Sequence, residues 1–217
     1  MVFIKVNKPQ WVTSHDVVEK FKKLFSDQKV WHSGTLDPMA TWLLIIAIWR
    51  ESTKHLWKFL GSDKEYETII NFSIFSDTWD LDYFDKFEKY EILEKNGIKW
   101  IQINWNFIKA PSLKEIENKL KELIPEKELP LTMFSAKKVN WKKLYELARE
   151  WIDLNLKQNM KINSFEIINY NFPELQVKFN VWSWTYIRSI WYWLWKEFWL
   201  PWTLTMLKRT KIGKISL

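Results

Sequence analysis

The stretch His32-Ser33-Gly34-Thr35-Leu36-Asp37-Pro38-Met39-Ala40-Thr41 carries one imidazole, one carboxylate and little backbone freedom. Gly34 admits a left-handed turn, Pro38 fixes its own φ and pushes Asp37 towards the extended region, and Ser33, Thr35 and Thr41 can bond loop backbone groups. Such a loop can hold an aspartate still. Read by itself, Asp37-Pro38 is also compatible with an ordinary turn, so its meaning depends on its surroundings.

Working outward, Val2-Phe3-Ile4-Lys5-Val6 reads as a strand and Lys8-Pro9-Gln10-Trp11 as the turn after it. A helix follows, capped by Thr13 or Ser14, with Asp16 in its first turn and Val17, Phe21, Leu24 and Phe25 at helical spacing. Beyond the loop, Leu43-Leu44-Ile45-Ile46-Ala47-Ile48 is a continuous apolar run of strand length, as expected of a strand buried on both faces. Arg50 to Leu60 reads as a helix, Gly61-Ser62-Asp63 breaks it, and Lys64 to Ile74 reads as a strand. Asn96-Gly97 between two strand-like runs signals a hairpin, and Ser112-Leu113-Lys114-Glu115 is a capping box opening a helix with Ile116, Leu120 and Leu123 inward. Leu175, Val177, Phe179 and Val181 alternate with polar residues as in a half-buried strand, and a last helix carries Trp195 and Trp199.

The chain has 217 residues, 47 % of them hydrophobic, and no composition break marks a linker, so one domain over 1–217 is expected. A formal charge of +7 fits an anionic partner such as RNA, although a Lys excess in an AT-rich genome gives the same number. There is no Cys, which excludes a disulfide framework and a thiolate metal site, and three scattered His argue against structural zinc. The N-terminus turns polar too soon for a signal peptide and no run approaches ~18 apolar residues, so a cytoplasmic protein with no membrane partner is expected.

The opening stretch resembles the catalytic loop of TruB-type tRNA pseudouridine synthases, Gly-His-Thr-Gly-Thr-Leu-Asp-Pro-x-Ala-Thr-Gly. Further matches run along nearly the whole chain. Lys8-Pro9-Gln10-Trp11 resembles Lys-Pro-x-Gly, Asp63-Lys64-Glu65-Tyr66 resembles Asp-Lys-x-Tyr, and Asp77-Thr78-Trp79-Asp80 resembles Asp-Thr-Gly-Asp, read here as a structural turn. Met133 to Lys138 and Lys142 to Arg149 resemble Met-Tyr-Ser-Ala-x-Lys and Lys-Lys-Leu-Tyr-x-x-Ala-Arg. Ser183 to Arg188 resembles Ser/Thr-x-Gly-Thr-Tyr-Ile-Arg, and Leu204 to Thr210 resembles Leu-x-x-Leu-Arg-Arg-Thr.

The resemblance implies a pseudouridine-synthase catalytic domain, α/β in composition, built on a bent, mixed, largely antiparallel sheet flanked by helices. It implies an RNA-gripping insert within 107–150 and no C-terminal RNA-binding domain. The implied reaction turns uridine into pseudouridine at position 55 in the T-loop of tRNA, with the T-arm stem-loop as partner, a monomeric enzyme, and neither cofactor nor metal. In it Asp37 is the nucleophile, Arg188 keeps Asp37 ionised and aligned, and Tyr66 and Tyr186 flank the base, Tyr66 being also a candidate for the C5 proton. His32 holds the RNA opened, Lys8 builds the floor of the site, and Leu204 contacts substrate. Two other readings stay open at this point: a protein that remodels the T-arm without modifying it, and RNA-guided modification as in dyskerin relatives.

One feature departs from the family pattern. The chain has 17 Trp and 4 Gly, about 2 % Gly against a usual ~7 %. Trp stands at ten positions where the resemblance calls for Gly: Trp11, Trp31, Trp42, Trp49, Trp79, Trp141, Trp151, Trp184, Trp195 and Trp199. A codon explanation is the simplest, because UGA encodes glycine in some bacterial lineages and a table reading UGA as tryptophan prints this chain. Trp57, Trp100, Trp105, Trp182, Trp191, Trp193 and Trp202 match no clear family glycine. Trp31 and Trp42 bracket Asp37 and are expected to disturb its loop most.

Overall fold

The computed structural model describes residues 1–26, 28–81, 87–135, 137–139, 141–150 and 154–217. The first elements are β1 (Val2–Lys8), α1 (Ser14–Leu24), β2 (Val30–His32), β3 (Thr41–Ile48), α2 (Trp49–Thr53), α3 (Trp57–Leu60) and β4 (Lys64–Asn71). Then come β5 (Ile74–Phe75), β6 (Glu88–Lys89), β7 (Glu91–Lys95), β8 (Ile98–Ile103), β9 (Asn106–Lys109), α4 (Leu113–Lys121) and β10 (Glu126–Pro130). The chain continues through β11 (Lys138–Val139), β12 (Lys142–Lys143), α5 (Leu144–Arg149), β13 (Lys157–Asn171), β14 (Glu174–Val181), α6 (Ile187–Phe198), β15 (Thr203–Ile212) and β16 (Ile215–Ser216).

The main sheet runs β1-β3-β15-β4-β14-β13-β10, with β2 added to β3 and β16 to β15. Its pairings are antiparallel except where β15 meets β3, at Lys208 opposite Thr41 and Arg209 opposite Trp42. That parallel contact brings the C-terminal strand beside the loop that precedes β3. The fold is therefore mixed α+β on a mixed, largely antiparallel sheet.

Local sequence explains each element near the site. At α1, the Thr13 hydroxyl accepts from Asp16 N (3.0 Å) and Asp16 Oδ2 accepts from Thr13 N (2.9 Å), a closed capping box that satisfies two of the helix's orphan donors. Leu43 to Ile48 are all buried, because one face of β3 looks into the main core while Leu43 and Ile45 face a small outer cluster with Ile212. The alternation in β14 is as expected, with Leu175, Val177, Phe179 and Val181 inward. Asn96 and Gly97 both take positive φ (54° and 73°) and close the β7–β8 hairpin, and α4 begins at its Ser112–Glu115 capping box.

Two expectations are corrected. The helix over 50–60 is two short ones, α2 and α3, and the Thr53 hydroxyl donates back to Arg50 O (3.1 Å), competing with the helical ladder where it breaks. The strand over 64–74 ends at Asn71, whose side-chain oxygen accepts from Ser73 N (2.8 Å) and turns the chain before β5. Within 107–150, α4 and β10 bury Ile116, Leu120 and Leu129 in the main core, the first two as the helical spacing after the capping box predicts.

Seven of the ten Trp that stand for family glycines have left-handed backbones: Trp11 (φ 64°), Trp42 (82°), Trp49 (72°), Trp79 (67°), Trp141 (68°), Trp184 (72°) and Trp199 (55°). Every described Trp outside those ten has negative φ. A bulky residue there is a steric outlier, and only Gly takes that region without cost. Trp151 lies outside the described residues. Trp195 sits inside α6 and Trp31 in β2, neither in the left-handed region. Trp31 is half exposed and stacks on His32 (centroids 5.2 Å apart), outside the left-handed region that Trp42 occupies.

Candidate active site

The Asp37 loop is pinned at both ends and from below. Ser33 continues the β2–β3 pairing, its N donating to Ile45 O (2.9 Å) and its hydroxyl accepting from Ile45 N (3.2 Å). The Ser14 hydroxyl, at the start of α1, accepts from Leu36 N (2.9 Å), and Ala40 N closes the Asp37-Pro38 turn onto Asp37 O (3.0 Å). Pro38 O accepts from Trp11 N (2.8 Å) and from Lys8 Nζ (3.1 Å). Lys8 is fully buried and also donates to Pro9 O (3.0 Å) and Val12 O (2.5 Å). Burial pulls its ammonium down to about 8, while the nearby Asp37 charge works in the other direction. Lys8 therefore acts on the loop's backbone.

Arg188 comes from the first turn of α6 and is 5 % exposed. Its Nη2 donates to Asp37 Oδ1 (2.9 Å) and Phe134 O (2.9 Å), and its Nη1 donates to Thr78 O (3.0 Å) and lies 3.4 Å from Asp80 Oδ2. A buried guanidinium is tolerable only when its donors and its charge are answered. Here two carboxylates and two carbonyls answer it. Asp80, itself 3 % exposed and accepting from the Thr78 hydroxyl (2.7 Å), was legible in sequence only as the end of a turn motif. Its contact with Arg188 is one that the sequence reading missed.

Above this pair opens a cavity of about 790 Å³ lined by Asp37, Arg188, Tyr66, Tyr186, Leu207, Lys64 and Arg209 among others. Tyr66 reaches it from β4 and Tyr186 from the residue before α6, which caps that helix in an extended conformation. Burial, then the Asp37 charge, pushes the Tyr186 phenol above its ordinary range. His32 adjoins the cavity but does not line it; its Nδ1 accepts from Gly34 N (3.2 Å), and burial beside Arg209 lowers it to about 4, so it is neutral near pH 7. Leu204 is corrected. It is fully buried in the main core opposite Ile70 and does not line this cavity, whereas Leu207, beyond a bulge in β15, does. Lys64 and Arg209 were quoted only as motif members and given no role. Both prove to be buried cations at the cavity.

An aspartate clamped by an arginine at the foot of an open, positively biased cavity suits nucleophilic attack on a nucleotide. The domain described as "TruB family pseudouridylate synthase (N terminal domain)" matches residues 22–187. Curated proteins called tRNA pseudouridine synthase B are similar over nearly the whole chain. The one from Caldicellulosiruptor saccharolyticus is 39 % identical, covering 96 % of this chain and 66 % of its own length. Those from Protochlamydia amoebophila (33 %, covering 98 % and 74 %) and Clostridium tetani (34 %, covering 99 % and 68 %) match comparably. Thus the chain spans about two thirds to three quarters of these relatives' lengths. In fold it is similar to a chain of a Cbf5-Nop10-Gar1 complex, with TM-score 0.68 at 19 % identity over 98 % of this chain and 50 % of that one. It is likewise similar to a chain of an H/ACA RNP bound to a substrate RNA containing 2′-deoxyuridine, with TM-score 0.65 at 19 % identity over 99 % and 48 %. With a family domain over most of its length and relatives at these identities, the chain belongs to the TruB family of pseudouridylate synthases.

Proposed function

We propose that this chain isomerises uridine to pseudouridine in tRNA, at position 55 of the T-loop, acting as a monomer in the cytoplasm. The observation that carries the reading is the Asp37 carboxylate, open to the cavity and held by the buried Arg188 at 2.9 Å. The reaction breaks the N1–C1′ glycosidic bond, turns the uracil over and joins C5 to C1′, with one proton leaving C5 and one taken up at N1. No group is lost and no oxidation state changes, so the chemistry calls for a nucleophile and a proton acceptor and for no cofactor.

Asp37 attacks C1′ of the ribose or C6 of the uracil, and Arg188 keeps it ionised and aligned. Tyr66 and Tyr186 flank the flipped base, with Tyr66 taking the C5 proton, and an insert within 107–150 grips the RNA. His32 is neutral and helps hold the duplex open by packing, not by charge. Flipping is required because the target atoms are out of reach within the stack, and the shape of the arm supplies much of the recognition.

The test is Asp37→Asn on a T-arm stem-loop. Pseudouridine formation is expected to vanish while RNA affinity stays within about tenfold, since phosphate and shape contacts carry binding. Retained turnover would remove Asp37 from the chemistry and overturn the reading.

A further inference from the structure

Arg209 is 1 % exposed, and among the described residues no carboxylate lies within 4.0 Å of it. Its Nε donates to Leu43 O (2.9 Å) and its Nη2 to Gly34 O (3.1 Å), which ties the start of β3 to the start of the catalytic loop. Nη1 makes no hydrogen bond to a described residue. It lies on the Gly34 side, 3.7 Å from where a Cβ on that glycine would stand, and both Gly34 and Arg209 line the cavity. In the β15–β4 register Arg209 is opposite Tyr66, which lines the same cavity.

The surrounding charge makes this free edge informative. Lys8 and Lys64 are also buried and also satisfied by neutral oxygens, Lys64 Nζ donating to Leu60 O (2.6 Å), Ser62 O (2.7 Å) and the Ser183 hydroxyl (3.0 Å). Around the loop, Lys8, Lys64, Arg188 and Arg209 face the carboxylates of Asp37 and Asp80, with Asp16 and Asp63 acting on the two lysines from farther out. Asp37 and Asp80 are already taken by Arg188, so Arg209 is the guanidinium left for an incoming anion. A base carbonyl would satisfy the donor but not the charge, and a phosphate oxygen satisfies both, in the planar geometry that arginine prefers.

We propose that Arg209 binds, through Nη1, the phosphate of the substrate nucleotide that enters the cavity, while its other edge fixes the catalytic loop at Gly34 and Leu43. Phosphate capture and loop alignment then share one guanidinium, and a nucleotide without that charge is held less firmly against Asp37. This inference rests on the activity proposed above.

The experiment places single neutral methylphosphonate linkages, one at a time, across the loop of a T-arm stem-loop and measures kcat/KM for pseudouridine formation. Wild type is expected to lose about 10- to 100-fold at one linkage flanking the target uridine, the size of a charge-assisted hydrogen bond. Arg209→Gln is expected to be slow on unmodified RNA and to show no added penalty at that linkage, whereas Arg209→Lys, which keeps a charge, retains part of the penalty. A structural role alone would leave the penalty equal in all three proteins, and that result overturns the assignment. Should both variants fail to fold, the wild-type scan decides: a single peak beside the target supports the assignment and a flat scan refutes it. A wild type inactive on unmodified RNA refutes the activity itself, a result distinct from activity with a flat scan.

Discussion

Replacing Trp141, Trp184 and Trp199 together by Gly should stabilise this protein. All three lie in the left-handed region, at φ 68°, 72° and 55°, and their side chains are 92 %, 66 % and 72 % exposed. Each pays the left-handed penalty of roughly 1–2 kcal/mol and recovers little by burial. Gly returns about 0.4–1 kcal/mol of that through the freedom it adds to the unfolded chain. The net is on the order of 0.5–1 kcal/mol per site, or about 1.5–3 for the triple variant, which for a chain of this size raises Tm by roughly 3–12 °C. Trp42 and Trp79 are less clean probes. The ring of Trp42 lies 4.1 Å from Lys208 Nζ in the outer cluster, and Trp79 stacks on Tyr192 at 4.2 Å, so removing either indole also removes packing.

Trp57 and Trp105 serve as the control, being exposed but outside the left-handed region. Their replacement by Gly should leave Tm unchanged or lower it, because Gly in a helix such as α3 costs up to ~1 kcal/mol. Thermal and denaturant unfolding of the two sets side by side is the assay. A triple variant no more stable than the parent, or a control set that gains as much, would refute the backbone argument. The coding DNA offers a second check: UGA is expected at the seven left-handed codons, and UGG there would make these tryptophans genuine.

Arg188→Lys keeps the charge but loses the planar fork that joins Asp37, Asp80 and two carbonyls, so the rate of pseudouridine formation should fall ~100-fold or more with RNA binding retained; a wild-type rate would mean the pair at 2.9 Å is not used. Asp80→Asn leaves Arg188 with less than its full counter-charge, and removing one partner of a buried pair typically costs about 3–5 kcal/mol, so both Tm and turnover should drop, and an unchanged pH–rate profile and rate would assign Asp80 to folding alone. His32 titrates near 4 in the folded protein against 6.5 ordinarily, so the unfolded chain binds the extra proton between those values and stability should fall as pH drops from 6.5 to 4. His32→Gln, whose side-chain oxygen can still accept from Gly34 N, should flatten that part of the Tm–pH curve, and an unaltered acid limb would place the titration elsewhere.

What could be read in advance follows the range of the interactions involved. The α1 and α4 caps, the Asn96-Gly97 turn and the inward face of β14 depend on residues within four positions of each other, and each appears where pattern alone put it. Asp37 and Arg188 could be proposed as partners only through motif resemblance, because 151 residues separate them and no periodicity links a loop to a helix start that far away. Leu204 was assigned from the motif resemblance, which holds two leucines, Leu204 and Leu207, and does not tell them apart; the ladder to β4 slips between Leu204 and Met206, and it is Leu207 that lines the cavity. Asp80 and Arg209 look like an ordinary turn end and one member of a basic run, and only the closed sheet shows each beside a charge or a backbone oxygen more than a hundred residues away. The tryptophans show the converse. A left-handed turn is a local demand, written into the chain by the residue types around it, and the backbone takes that conformation at Trp11, Trp42 and Trp184 even with an indole attached. Trp31 lacks that demand because β2 pairs there as an ordinary strand. Resemblance alone therefore cannot say which of the ten need glycine; the φ angle can.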